Sequence, residues 1–483
     1  MLGYIEKITK IYDLLALCCS YIFKEYNKEP IEFSLFDFDD SKYDGVHDAI
    51  ELYCEQCKEE GHVAAINELK EFIFEFLKSG ISVEKCMAIV VNIDELVEAK
   101  ICDKVINGRK IVKYNALNKQ YTDQVKILPR FKDTFIDRAN ANKEFGNGEF
   151  SFLRDSRQNE CSPVDDQVTN YMIWDAEHIE QYPVWIYHFD ETSLIEKHFN
   201  QRNKVVLGVV PFSNTDTEEL LNIKIEKRAF CIESMNPNVE ERLKHKYSDV
   251  CDKAECEDID FLVFPEMMMT ENILSGIITK EKKDSPRIIV NGSIWKDKAN
   301  RSIVSDENGN EIFSYFKKNP YTFEKNGIEY KELLDKRKNK EYHILELEGF
   351  GRVGIGICKD LISEEIRLFH KYIGTNLLIV PSYTKSMDLE SCAENLSKDY
   401  NCVVAVVNAC SALQKKENNT RIGFITLPAK DKSDRAGVTI RYFRDECSEE
   451  CEKRCKAKKI TIDFERKRTY EEKESFFVEE TMF

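Results

Sequence analysis

Apolar residues recur at helical spacing from Met1 to about Glu98, as in Ile5, Ile8, Ile11, Leu14, Leu15 and Cys18, and again in Ala65, Leu69, Phe72, Ile73 and Phe76. This pattern predicts a mainly α-helical N-terminal domain over 1–106. Gly80 stands where a left-handed residue closes one helix, and Ser82 with Lys85 where the next one starts. Over 107–203 the pattern weakens into polar turns, Asn140 to Gly148 and Ser156 to Asp166, which read as a connector or accessory region. Within it, Tyr182-Pro-Val-Trp-Ile-Tyr-His-Phe189 alternates like a strand and is expected to extend a sheet of the following domain.

Over 204–483 the character changes. Short β-branched runs alternate with helical segments: Val205 to Val210, Phe261 to Phe264, Ile288 to Val290, Val353 to Ile357, Leu377 to Val380 and Val403 to Val407. Strands separated by helices imply an α/β domain. Ser302 to Val304 and Glu311 to Tyr315 flank Asp306-Glu-Asn-Gly309 and read as an antiparallel hairpin.

A chain of 483 residues exceeds what one hydrophobic core usually serves, which supports the division into domains. The 87 acidic residues outnumber 70 basic ones, and a net charge of -17 repels a phosphate backbone, so nucleic acid is disfavoured as a partner. No stretch approaches the roughly 20 apolar residues a membrane span needs. The early run Ile11 to Phe23 is interrupted by Tyr12, Asp13, Ser20 and Tyr21 and has no small-residue cleavage site, so a cytoplasmic protein is expected. The 17 cysteines are scattered and odd in number, as expected of reduced thiols.

Three apolar runs each end in a reactive residue: Phe261-Leu-Val-Phe-Pro-Glu266, Tyr315-Phe-Lys317-Lys-Asn-Pro320 and Val353-Gly-Ile-Gly-Ile-Cys358-Lys-Asp360. Strand ends are where catalytic groups of α/β folds collect. Gly354 and Gly356 are expected to let backbone approach closely, and the turn after Cys358 to place the thiol near a helix N-terminus, where the thiolate is favoured. Plainer roles compete. Most cysteines are small buried hydrophobes, Glu266 could cap a helix, and Lys317 and Lys318 face opposite sides of a strand, so one of them is a solvated edge charge. Cys54-Glu-Gln-Cys57 lies in a helical, acidic context with no second pair, and Cys447, Cys451 and Cys455 share a helix face; for both, a structural role outweighs metal binding. Met267 to Met269 are expected to line the core or pocket.

Taken in order, Glu266 after an apolar strand, Lys317 after a hairpin and Cys358 in a G-x-x-x-C-x-D setting resemble the nitrilase, or carbon–nitrogen hydrolase, superfamily over about 204–463. The resemblance implies a four-layer αββα sandwich and hydrolysis of an amide or related carbon–nitrogen bond in a small molecule. Cys358 would be the nucleophile, Glu266 the base, and Lys317, with the backbone N–H of Lys359, the oxyanion donor, without a metal or organic cofactor. Counting from Gly309 through Tyr315 selects Lys317 over Lys318. The family's second glutamate maps onto Glu324, with Glu329 behind it, and Glu324 and Lys359 are the candidates for positioning the substrate. A homodimer or larger assembly is also implied, with the helix Ser363 to Tyr372 as candidate contact through Ile366, Leu368 and Phe369. Two alternatives stand beside hydrolysis: acyl transfer to an amine by the same triad, and a catalytically silent sensor or scaffold, such as the nitrilase-like modules of bacterial antiviral defence proteins.

Overall fold

The computed structural model describes residues 1–6, 8, 11–28, 43–59, 62–96, 105–106, 109–113, 125–129, 171–175, 184–189, 193–200, 202–276, 287–335, 341–384, 388–412, 420–430, 436–445, 457–463 and 477–482. Its contacts divide into two units, 1–102 with 113–131 and 154–181, and 103–112 with 132–153 and 182–483. Cys447, Cys451 and Cys455 lie outside the described residues.

In the first unit the helices Leu2–Ile5, Ile11–Lys28, Asp44–Glu59, His62–Lys78 and Val83–Leu96 follow the spacing of their apolar residues. Leu14, Leu15, Cys18, Ile50, Leu69, Ile73 and Ile89 share one core. Gly80 has φ +136°, which a side chain would resist, and its N–H donates to Leu77 O. Ser82 Oγ accepts from Lys85 N at 3.3 Å and caps the next helix. Cys54 Sγ donates to Leu96 O at 3.5 Å, a structural use of one CxxC thiol. Two strands, β3 (Val125–Pro129) and β4 (Tyr171–Asp175), pair in this unit.

The second unit is α/β. Nine strands form one sheet in the order β1 (Val105–Ile106), β2 (Arg109–Lys113), β5 (Val184–Phe189), β16 (Tyr342–Leu347), β17 (Gly351–Ile355), β18 (Leu377–Ser382), β19 (Val403–Asn408), β20 (Thr420–Lys430) and β21 (Ala436–Asp445). A second sheet runs β11 (Ile294–Lys296), β12 (Ala299–Asp306), β10 (Ile288–Val290), β9 (Phe261–Val263), β6 (Lys204–Val209), β22 (Lys458–Asp463) and β23 (Phe477–Met482), with β13 (Glu311–Phe316) paired to β12. A small sheet orders β14 (Thr322–Lys325), β15 (Ile328–Glu332), β8 (Ala229–Met235) and β7 (Leu221–Glu226). Val184–Phe189, the described part of the Tyr182–Phe189 stretch, does extend a sheet: β5 runs parallel to β16. The β12–β13 hairpin turns through Gly309 at φ +79°.

Alternation along these strands sets the packing. Leu207, Phe261 and Val290 of one large sheet and Ile355, Ile379 and Ala405 of the other enter a common core. Their neighbours Val206, Leu262 and Ile289 turn the other way, onto Leu243, Tyr247 and Val250 of the helix Pro237–Cys256. Leu378, Val380 and Val404 likewise meet Leu389, Ala393 and Leu396 of the helix Asp388–Tyr400. Strands covered on both faces are apolar throughout, and each large side chain so buried contributes roughly 1.5–3 kcal/mol. The helix Glu364–Tyr372 spends its apolar face inside the chain. Ile366 and Phe369 are buried within the chain, the Phe369 ring stacking on Tyr342 with centroids 3.8 Å apart, while Leu368 is half-buried.

Candidate active site

The ends of β9, β13 and β17 converge. After β9 the chain passes Phe264 and Pro265 to Glu266 and turns at Met267, φ +63°; the Glu266 N–H donates to Ser382 O at the end of β18, joining the two large sheets at this point. Past the end of β17, Cys358 opens a 3₁₀ turn, Cys358–Ile362, at φ +48°. A left-handed cysteine costs on the order of 1 kcal/mol or more, so the surrounding structure must hold it. Gly354 makes the close approach expected of it, since a Cβ there would lie 2.6 Å from His370 Cε1; at Gly356 the nearest atom would be 3.8 Å away, so that glycine answers no such contact.

Glu266, Lys317 and Cys358 are all buried. Lys317 Nζ lies 2.6 Å from Glu266 Oε1 and 2.7 Å from Glu332 Oε2. Asn300 Nδ2 donates to both carboxylates, at 2.8 Å to Glu266 Oε1 and 3.0 Å to Glu332 Oε1, while its backbone carbonyl accepts from Lys317 N. Trp295 Nε1 donates to Glu332 Oε1 at 3.2 Å, and Tyr321 N to Glu332 Oε2 at 2.9 Å. One ammonium thus sits between two carboxylates with no access to solvent.

Burial acts on each charge differently. It opposes the Lys317 ammonium, yet Glu266 and Glu332 together hold that pKa well above the usual lysine value. Burial raises the pKa of Glu266 against the pull of Lys317. The Cys358 thiol is pushed up to about 12 by burial first and by Glu266 second, outweighing Lys317, Ser382 and the Tyr383 N–H, which favour the thiolate. The resting group is therefore a thiol. This corrects the expectation of a preformed thiolate, because desolvation exceeds what one short turn and one ammonium return.

Lys317 and Lys318 do diverge. Lys318 Nζ donates to Glu341 O at 2.8 Å and lies 4.2 Å from the Tyr342 ring centroid, away from the carboxylates. Glu324 is exposed on the β14–β15 hairpin, directly opposite Glu329, which is exposed as well. Neither stands at the ion cluster; Glu332, at the end of β15, takes that place. The missed signal was Asn326-Gly327, at φ +55° and +73°, a two-residue turn that sets Glu324 and Glu329 near the hairpin tip and Glu332 at its base. Lys359 is half-buried beside Cys358, with its ammonium 6.0 Å from the Tyr321 ring centroid. Met268 and Met269 are core residues packed with Phe264 and Ile273.

No protein-family model matches the sequence, and no curated protein matches it. Among solved structures, the chain is similar to Saccharomyces cerevisiae Nit3, a member of branch 10 of the nitrilase superfamily, at 16% identity over 50% of this chain and 89% of that one, with a TM-score of 0.31. It is similar to an amidase from Nesterenkonia sp. at 12% identity, covering 51% and 92% of the two chains, with a TM-score of 0.32. The C. elegans NitFhit protein shares 14% identity over 50% of this chain and 61% of its own, with a TM-score of 0.31.

Proposed function

We propose that the second unit is a thiol-dependent carbon–nitrogen hydrolase built as a four-layer αββα sandwich, acting on a small amide-type substrate. The observation that carries this reading is the solvent-free Glu266–Lys317–Glu332 cluster beside a left-handed cysteine. A buried ion cluster is a poor stabiliser compared with apolar packing, so its presence at converging strand ends calls for a chemical reason. The core shared by the two large sheets, with one helix packed outside each, supports the sandwich.

In the reaction, Cys358 sulfur attacks the carbonyl carbon while its proton passes to Glu266, whose raised pKa suits it to accept one. Negative charge growing on the carbonyl oxygen is met by the Lys317 ammonium and the Lys359 N–H. Glu266 returns the proton to the departing amine or ammonia, leaving a thioester. Glu266 then takes a proton from water as the water oxygen adds to the thioester carbon, and the carboxylic acid leaves with the thiol restored. Glu332 fixes Lys317 in line with this oxygen, a role the exposed Glu324 does not fill, and Lys359 borders the acyl group. Incubation with short-chain primary amides should release ammonia and give an intact-mass acyl adduct on Cys358. If no adduct forms across an amide panel while the protein remains folded, the proposal fails.

A further inference from the structure

We infer that Asp360 is a positioning residue that locks Lys317 and Cys358 into one geometry, coupling the oxyanion donor to the nucleophile. Its carboxylate is fully buried and accepts four hydrogen bonds from two segments. Oδ1 accepts from Lys318 N at 3.0 Å and Asn319 N at 2.7 Å, the two residues after Lys317. Oδ2 accepts from Ile357 N at 3.1 Å, the residue before Cys358, and from the Tyr315 hydroxyl at 3.0 Å, two residues before Lys317. A carboxylate has about four acceptor positions, so this one is saturated, and no acceptor is left over for substrate or water.

The consequence is mechanical. Oδ2 caps the 3₁₀ turn from inside and brackets the left-handed Cys358 between Ile357 and Asp360. Oδ1 pins the backbone that leaves β13, on which Lys317 rides. Neither segment is bonded to the other through backbone pairing: β13 pairs with β12, and β17 lies between β16 and β18 of the other large sheet. Asp360 bonds to both segments and, with the longer Asn319 Nδ2–Lys359 O hydrogen bond of 3.5 Å beside it, fixes one relative to the other. Burial raises its pKa, while the Asn319 and Ile357 N–H groups and Lys317 pull it back down.

The inference takes Cys358 and Lys317 as the reacting groups proposed above, and the test reads their geometry without needing turnover. Iodoacetamide alkylates Cys358 as sulfur displaces iodide and the thiol proton leaves; the rate at pH 9 is followed by peptide mass in the full chain. Lys317→Met removes the ammonium that favours the thiolate and should slow this step by about tenfold or more, the low end of what one close opposite charge does. In an Asp360→Asn background the same change should matter less than about threefold, because the turn that carries the sulfur is no longer tied to the strand end that carries the ammonium. Equal factors in both backgrounds would overturn the inference. Tyr315→Phe deletes a single donor to Oδ2, keeps the buried ring, and covers the case in which Asp360→Asn does not fold. It should slow labelling about threefold or more with its melting temperature within a few degrees of the parent, and labelling at the parental rate would count against the coupling. A coupled cycle in a protein that hydrolyses no amide would remove the proposed function and leave this inference standing.

Discussion

Replacing Lys317 by methionine tests the ion cluster as a physical object, independently of any substrate. Methionine matches the length of the lysine stem and leaves little cavity, so the change isolates the charge. Lys317 is fully buried and holds Glu266 at 2.6 Å and Glu332 at 2.7 Å; without it two carboxylates face each other across Asn300 in a site closed to solvent. Removing one partner of a buried pair costs about 3–5 kcal/mol. At about 2–4 °C per kcal/mol for a unit of this order, the melting temperature at pH 8 should drop by roughly 6 °C or more.

The deficit should also depend on pH, with a definite sign. Burial already raises the pKa of Glu266 above its ordinary value, and Lys317 is what pulls it down. In the methionine variant the folded-state pKa moves further up. A carboxyl raised in the folded state contributes stability that is present below its unfolded pKa and is lost as pH rises through the folded value. The variant's deficit is therefore smallest near pH 5 and grows toward pH 8. Adding Glu332→Gln to Lys317→Met removes one of the facing charges and should recover about half of the loss at pH 8. Thermal melts of the three proteins at both pH values check this. A single variant within about 1 kcal/mol of the parent at pH 8, or a deficit independent of pH, would refute the reasoning.

Cys358→Ala should abolish acyl-adduct formation with amides while the melt stays within a few degrees, since the change deletes one sulfur from a turn held by backbone and Asp360. Glu332→Gln should lower amide turnover by about a hundredfold through misplacement of Lys317, and Glu324→Gln, on the exposed hairpin, should leave it unchanged; equal effects would return the second carboxylate to the hairpin tip. Brief iodoacetamide treatment near pH 7.5 should label the exposed Cys256 well before Cys358, whose thiol is pushed up to about 12, and preferential labelling of Cys358 would show a thiolate at rest. Phe369→Glu should lower stability by about 3–5 kcal/mol by breaking the stack on Tyr342; a dissociated but equally stable chain would mean that face is exposed.

What the sequence disclosed and what it withheld follow from the range of the interactions involved. Periodicity found the helices of the first unit, the apolar strands β17, β18 and β19, and the β12–β13 turn, because those depend on residues within a few positions of one another. The ends of β9, β13 and β17 carried Glu266, Lys317 and Cys358 in plain view as polar residues terminating apolar runs. Glu332 was not visible in the same way. It ends a strand of mostly exposed residues, and only the register imposed by Asn326-Gly327, together with the pairing of β15 to β8, carries it inward. The apolar residues of the helix Glu364–Tyr372 suggested a free face because Tyr342, the ring that covers Phe369, lies on a distant strand.

The protonation state of Cys358 was the hardest feature to read locally, and it bears most directly on mechanism. Its near neighbours in sequence, a short turn with Lys359 beside it, favour the anion. Its neighbours in space include Glu266 at the same ion cluster, and the thiol is fully buried, which favours the neutral form more strongly. A thiol kept neutral beside a carboxylate whose own pKa is raised costs little charge separation at rest. In the proposed reaction the proton passes to Glu266 once a carbonyl is in place, and the ammonium held between two carboxylates would meet the new negative charge on oxygen. On the proposed reading, the same burial that slows Cys358 toward a chance reagent would reserve its reactivity for a substrate that fits.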